Sequence, residues 1–371
     1  MRVCFVGSAA SYHVSKWLRH YAAQGDDVHL ISTSDGCIPG VTVHRVTNLN
    51  WTVVGRHAFY LRYYLTVIYL LAQLRPDVVH ALQINAYSAM AAFATTVPFI
   101  VTPFGGDLLR RPAQSRLARI FVWLTLFRAD LVVCDGQNVE FALNGFRVRR
   151  AKVAVVRFGV DSTQFVRGPR DYGLCTQLQI AAHPVVISLR HLMEVYDVAT
   201  LLRAAFLVLK HLPDVKFLII SDGPERQRLQ ALATNLEIDH SVIFVGWVQA
   251  SDLPKYLSVA DVYVSTSLSD SGLASSTGEA MACGVAPIIS DFGENGAWIS
   301  EGFNGFLFPA GDHCALADRL LTLLQDKALR AEFGVRSRKI IEERYDIRKA
   351  VAELRVLHNG VLSDLGSLSL R

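Results

Sequence analysis

Arg190 stands just past an apolar run, Val185–Leu189, that reads as a β-strand, and therefore at a strand's carboxyl end. A guanidinium there can grip a diphosphate through two parallel hydrogen bonds, although a surface or helix-capping arginine would look the same. The stretch STSLSDSGLASSTGEAMACGVAPIISD, residues 265–291, is a Ser/Gly-rich loop, Gly272 included, that runs into a helix at about Ser276. Free N–H groups at such a helix start, with the macrodipole behind them, favour phosphate. Glu279, in the first turn of that helix, can accept hydrogen bonds from a ribose diol, or simply complement the dipole. SDGPE at 221–225 combines a tight turn at Gly223 with Pro224 at the first helical position, ordinary punctuation that still brings backbone N–H groups to strand ends. VGWV at 245–248 offers loop backbone to a base edge, unless Trp247 is an ordinary buried side chain. In the N-terminal half, GSAASYH at 7–13 is a loop of small residues (Gly7, Ser8 and Ser11 among them) that leads into a helix. Its His13 can donate to a phosphate, take a proton from an acceptor, or serve structure alone.

These loops need strands to carry them, and the pattern supplies strands throughout. Short apolar runs alternate with longer helical patterns, the signature of βαβ units and a parallel sheet. Strands are expected at Val3–Val6, Val28–Ile31, Val78–His80, Phe99–Thr102, Leu131–Cys134 and Val153–Val156. A second series runs Val185–Leu189, Val215–Ile220, Val242–Phe244, Val262–Ser265, Ala286–Ser290 and Phe306–Phe308. The spacing predicts an α/β fold of two Rossmann-like doubly wound domains facing across a cleft, with chemistry in the strand-to-helix loops. The expected boundaries are a first domain at 1–165, a linker at 166–183 rich in Gly and Pro, and a second domain at 184–345, which the resemblance given below makes the acceptor-binding and donor domains respectively. A C-terminal helix and tail, 346–371, would cross back to the first domain.

At 371 residues the chain exceeds what one core usually serves, and 51% hydrophobic against 19% charged residues suits large buried sheets and excludes disorder. Six cysteines lie far apart with no CxxC pair, so zinc spacing is absent and a reducing cytoplasm fits best. The apolar N-terminus is too short for a signal peptide, and AFYLRYYLTVIYLL at 58–71 is too short, and interrupted by Arg62, for a bilayer span. The net charge of +4 is uneven: residues 1–165 hold 17 basic against 9 acidic residues, the remainder 20 against 24. A basic N-terminal half suits an anionic partner such as phospholipid head groups or a lipid-phosphate acceptor, or is a solvated surface with chance imbalance. LLRRPAQSRLARIFVWL at 108–124 interleaves arginines with Ile120, Phe121 and Trp123, and reads either as a helix lying on an anionic membrane or as one packed on the sheet. No recognition motif accompanies the charge, which argues against nucleic acid.

EAMACGVAPIISD followed by ENGAWISEGFNGFLFPAGD, with LVVCDGQ at 131–137, VVRFGVDSTQF at 155–165 and FVGWVQASDLPKYLSVADVYVSTS at 244–267, resembles the family 4 retaining glycosyltransferases of the GT-B fold. The resemblance runs from Met1 to about Tyr345 in the correct order. It implies a nucleotide-sugar donor, with uridine the commonest base, and a sugar, lipid-linked or polysaccharide acceptor. It also implies that Arg190 contacts the donor phosphates, that Ser275–Thr277 backbone (Ser276 between them) helps hold the diphosphate, that Glu279 binds the ribose hydroxyls, and that Val245–Val248 line the base.

Three positions depart from the family pattern. The first of its paired carboxylates, which normally meets the donor sugar, falls at Ser271; Asp270 is adjacent but would point elsewhere in that register. A second cation five residues after Arg190 is replaced by Val195, although SLRHLMEVYDVATLLRA resembles a sub-branch linked to surface-polysaccharide assembly. Phe104 stands near the usual histidine in VTPFGGDLLRRP, where Gly105 and Gly106 allow close backbone approach. Asp107, the only carboxylate of that loop, would orient a sugar hydroxyl or the acceptor, or cap the following helix. The implied mechanism is front-face retention, with Arg190 and helix amides stabilising the departing diphosphate and its phosphate taking the acceptor proton. No DxD or metal-ligating cluster is present, so neither a metal nor another cofactor is expected. The rival readings are a nucleotide-sugar epimerase of the same fold and a non-catalytic nucleotide-sugar-binding or scaffold protein.

Overall fold

The computed structural model describes residues 1–46, 53–109, 111–146, 152–270 and 272–368. The chain forms two compact units, Met1–Phe158 with Ile347–Arg371, and Gly159–Asp346.

The first unit is built on seven parallel strands: β1 (Arg2–Val6), β2 (Asp27–Ser32), β3 (Val41–Arg45), β4 (Val78–Leu82), β5 (Phe99–Thr102), β6 (Leu131–Cys134) and β7 (Lys152–Val155), ordered β3-β2-β1-β4-β5-β6-β7. Its helices are α1 (Tyr12–Ala22), α2 (Val53–Leu74), α3 (Ala86–Ala94), α4 (Gly106–Leu109), α5 (Arg111–Gln114), α6 (Arg116–Arg128) and α7 (Gln137–Leu143). β4, β5 and β6 are buried along their whole length, as continuous apolar runs must be when helices cover both faces of a parallel sheet. Edge strand β3, VTVHR, is half exposed and polar at alternate positions, so it carries too little apolar signal to stand out in sequence. One sheet face is covered by α2, α3, α6 and α7. Phe59, Tyr63, Val67 and Leu71 recur every four residues along α2 and pack with Val122, Leu126 and Val139 against strand residues such as Val79 and Val101.

The second unit holds six parallel strands, β8 (Val185–Ser188), β9 (Lys216–Ile220), β10 (Val242–Gly246), β11 (Val262–Ser265), β12 (Ala286–Asp291) and β13 (Phe306–Pro309), ordered β10-β9-β8-β11-β12-β13. Around them lie α8 (Tyr172–Gln177), α9 (Val198–Leu209), α10 (Arg226–Asn235), α11 (Leu253–Ser258), α12 (Ser275–Ala282), α13 (His313–Gln325) and α14 (Lys327–Arg344). The segment 166–183, expected as a bare linker, contributes to this unit. The Asp171 side chain accepts from the Leu174 N–H at 2.9 Å to start α8, and Cys175 and Ile180 are buried in the core.

The last helix, α15 (Ile347–Leu368), returns to the first unit and, with α1, covers the second face of its sheet. A buried polar chain joins it there. Tyr21 Oη lies 2.8 Å from His358 Nδ1, His358 Nε2 lies 3.0 Å from His80 Nδ1 on β4, and His80 Nε2 lies 2.7 Å from Thr102 Oγ1 at the end of β5. Burial drives the His358 imidazole down to about 3 and His80 well below its ordinary value, with the neighbouring His358 adding to the latter, so both rings are neutral.

Candidate functional site

Each sheet reverses its strand order once, between β1 and β4 and between β8 and β11. Loops leaving the two strands at such a point diverge, and the space they leave at the carboxyl ends is where ligands of open α/β sheets bind. In the second unit these are the loops after β8, which carries Arg190, and after β11, which leads into α12.

Arg190 is only 7% exposed, yet it is surrounded by polar groups. Its Nη2 donates to Asp270 Oδ1 at 2.6 Å and to Ser267 Oγ at 3.2 Å, and its Nη1 donates to Ser276 Oγ at 3.2 Å. The guanidinium lies over the Tyr196 ring at 4.2 Å. Burial opposes its charge, but the Asp270 carboxylate and the Tyr263 and Tyr196 hydroxyls more than offset that, and its pKa is raised. Its buried Nε has no hydrogen-bond partner among the described residues. A donor left bare at this burial costs about 1–3 kcal/mol, which an anion reaching it would return.

The start of α12 lies beside this arginine. Fully buried Tyr263 holds the first turn through its hydroxyl, 3.0 Å from Ser276 Oγ and 3.1 Å from Thr277 Oγ1. The Tyr345 hydroxyl donates to the Leu273 carbonyl at 2.9 Å and fixes the loop just before it. No side chain caps the helix, whose preceding residue is Ala274, so its leading N–H groups are not satisfied by a cap. Gly278 lets the helix seat closely: a Cβ there would stand 2.8 Å from Val160 Cγ2. Ser275 and Ser276 are partly exposed, while Thr277, Gly272 and Glu279 are buried, Glu279 at 3% exposure. Ser271 lies outside the described residues. Asp270, expected from the loop register to point away, is instead the carboxylate paired with Arg190. Ser267, Tyr196 and Tyr263 join Arg190 without a sequence signal of that role; only Ser267, two residues past the end of β11, stands where a strand end points to a site.

Two further loops border the region. Gly223 passes so near the loop after β8 that a Cβ there would stand 2.3 Å from the Leu192 carbonyl oxygen. That loop is tied down by Leu192 N–H to the Asp222 carbonyl at 3.1 Å and Glu225 N–H to the Leu192 carbonyl at 3.0 Å. Trp247 is 67% exposed rather than buried and stacks on His191 at 5.4 Å, while His191 Nδ1 sits 3.0 Å from Ser221 Oγ. Val245 and Val248 are half-buried against the core beneath. Position 195 sits in a short 3-10 turn, and its carbonyl accepts from the Leu268 N–H at 2.8 Å, joining the two loops by backbone.

In the first unit the Gly7–Ser11 loop is held to its neighbour after β2 by Ser8 Oγ and Ser34 Oγ at 2.8 Å. His13, in the first turn of α1, packs edge-on against Phe104 at 6.0 Å. Gly105 takes the left-handed conformation (φ 94°) that glycine tolerates, and open space surrounds the Cβ position of Gly106. Asp107 is buried, and its Oδ2 accepts from the Ile84 N–H at 2.6 Å and the Phe104 N–H at 3.2 Å, so it ties the loops after β4 and β5 together. The same residue lines a cavity of about 220 Å³ with Asn85, Ser115 and Phe121. The geometry thus makes Asp107 first a positioning residue for Phe104. Among the described residues no group of three or more His, Cys, Asp or Glu is disposed to hold a metal ion.

Residues 177–340 match the family model described as glycosyl transferases group 1, and residues 2–136 that described as glycosyl transferase 4-like. The lipopolysaccharide core biosynthesis glycosyltransferase LpsE of Rhizobium meliloti is 30% identical over 242 residues, 64% of this chain and 67% of that protein. N-acetyl-alpha-D-glucosaminyl L-malate synthase of Bacillus anthracis is 31% identical over 210 residues, 56% of this chain but only about half, 52%, of that protein. Among solved structures, Anabaena HepE in complex with UDP and glucose superimposes with a TM-score of 0.83 at 20% identity, covering 97% of this chain and all of that one. Sucrose-phosphate synthase of Thermosynechococcus elongatus does so with a TM-score of 0.82 at 17% identity, over 98% of this chain and 99% of that one. With both halves matched by glycosyltransferase models and the two-sheet architecture shared, the chain belongs to the family 4 glycosyltransferases of the GT-B fold.

Proposed function

We propose that this chain transfers a hexose or related sugar from a UDP-sugar to a lipid-linked, small-molecule or polysaccharide acceptor, with retention of configuration and without a divalent metal. The observation that carries the reading is Arg190: a buried cation with a bare Nε, beside an uncapped helix start, is built to receive the diphosphate of a nucleotide. In this reading the diphosphate takes hydrogen bonds from Arg190 and the Ser275–Thr277 amides. Glu279 accepts from the ribose diol, and the base lies along Val245–Val248 against the exposed Trp247 face. Gly223 allows the neighbouring loop to approach. Asp270 meets the donor sugar, exchanging Arg190 for sugar hydroxyls as the diphosphate arrives, and Gly272 lets the sugar approach the backbone.

As the glycosidic bond breaks, charge builds on the leaving diphosphate, and donors already fixed by Tyr263, Ser267 and Tyr196 meet it without reorganising. The acceptor hydroxyl attacks on the face the diphosphate leaves, and its proton passes to a phosphate oxygen. The acceptor is assigned to the loops Gly7–His13 and Gly105–Asp107 of the first unit, where His13 donates to an acceptor phosphate or hydroxyl. The UDP complexes of HepE and the lipopolysaccharide role in the name of LpsE support uridine and a cell-surface saccharide. The test is a panel of UDP-, GDP- and ADP-sugars with candidate acceptors in the presence of EDTA, with product anomers assigned by NMR. Retained product from one UDP-sugar, lost in Arg190→Met, is the expected result; product only after adding a divalent ion, or inverted product, overturns it. A binding protein without turnover is the second reading, favoured by the apolar Val195 where a second cation would stand; UDP binding with no product across the panel would select it.

A further inference from the structure

The outer side of the helical layer formed by α2, α3 and α6 is unusually apolar for a surface. The residues that face away from the core repeat at helical spacing: Leu61, Leu65 and Tyr69 on α2, and Leu117, Ile120 and Trp123 on α6, from 49% to 61% exposed. They lie opposite the buried stripe of α2 and the Val122–Leu126 stripe of α6, so each helix is apolar on two sides. Phe93 on α3 is exposed between them, since α3 packs against both neighbours. An exposed apolar patch of this extent marks an interaction site.

Charge identifies the partner. Residues 53–74, 86–94 and 111–128 contain no Asp or Glu, whereas Arg62, Arg116 and Arg119 stand exposed among the apolar side chains. Over 53–129 the only carboxylates are Asp77, which accepts from the Arg2 N–H, and the buried Asp107. Aromatic and aliphatic residues interleaved with arginine, without acidic residues, match the boundary between lipid head groups and acyl chains. No helix of the described residues is long and apolar enough to cross a membrane, which leaves docking on the surface.

We infer that this face of the first unit docks on a bilayer rich in anionic phospholipid, with the arginines at the head groups and the Leu, Ile, Trp and Tyr side chains below them. The cavity lined by Asn85, Ser115, Phe121 and Asp107 opens beside the same helix α6, next to where a lipid-anchored acceptor would lie. The inference stands apart from the transfer reaction, because it is tested without donor or acceptor.

The test is flotation of the full chain with vesicles of phosphatidylcholine alone and with added phosphatidylglycerol, across a salt series. Wild type is expected to float with the anionic vesicles and to be released by salt. Arg116→Glu/Arg119→Glu should weaken binding by about tenfold or more, and Leu65→Ser/Trp123→Ser should weaken it at every salt concentration. These positions are exposed, and an unchanged thermal midpoint and far-UV circular dichroism spectrum in each variant would show that the fold persists. Equal flotation with both vesicle types, or no change in either variant, overturns the proposal. So does concentration-dependent dimerisation that both variants abolish without any vesicle binding, which would assign the face to a second copy.

Discussion

Arg190 and Asp270 form a pair at 2.6 Å in which each depends on the other: the carboxylate keeps a buried cation satisfied, and the cation holds a loop in place. Removing one partner of a buried pair leaves the other's charge uncompensated. Asp270→Asn keeps the shape but removes the charge, and is expected to cost about 2 kcal/mol of stability in the absence of ligand. Saturating UDP should recover much of that loss, because the diphosphate supplies the missing negative charge. Chemical denaturation with and without UDP measures both numbers, and an equal loss in the two conditions would mean that Asp270 only braces the loop. The strand-end place of Arg190, the helix start beside it and the position of Glu279 on that helix were legible from the alternating pattern. The Asp270 contact was not, because a one-residue difference in loop course decides which carboxylate points inward, and loops lack the periodicity that fixes register in strands. Asp107 shows the same limit: a lone carboxylate in a loop reads alike whether it meets a hydroxyl or, as here, two backbone amides.

At the scale of elements, the loop after β8 is held by its closeness to Gly223. Gly223→Ala would drive a methyl against the Leu192 carbonyl, which backbone cannot readily evade, and should destabilise the second unit by about 1–3 kcal/mol. UDP affinity should fall with it, since Arg190 sits at the head of the displaced loop; unchanged affinity would show that the loop relaxes elsewhere. The helix α15 has its own signature. Its His358, with His80, is neutral in the folded chain, whereas in the unfolded chain both titrate near 6.5. The unfolded state therefore takes up protons first as pH falls, so stability is full above about 6.5 and declines below it, at up to about 2.7 kcal/mol per pH unit for two groups. Urea midpoints from pH 7.5 to 5 should show this decline, and His358→Leu should roughly halve it while weakening the fold at neutral pH. A slope unchanged by the variant would place the titration elsewhere. The alternating βαβ pattern made twelve of the strands visible because each is an apolar run between turn residues. β3 escaped as a half-polar edge, and α8 because six residues in a Gly- and Pro-bearing stretch cannot show a helical period.

For the whole molecule, the two doubly wound units differ in charge as well as in sequence. The basic, apolar-faced first unit is suited to an anionic surface, and the more acidic second unit places a buried arginine, Arg190, at the strand-order reversal. On the proposed function, a nucleoside diphosphate is expected to bind at Arg190 and the start of α12 without a metal. Titration calorimetry of UDP into the full chain in EDTA, with wild type and Arg190→Met side by side, tests it most directly. One site per chain in wild type, weakened by about a hundredfold in the variant, is the predicted result, since two charge-assisted hydrogen bonds are lost. Equal affinity in the two proteins, or no binding to a well-folded wild type, would contradict it.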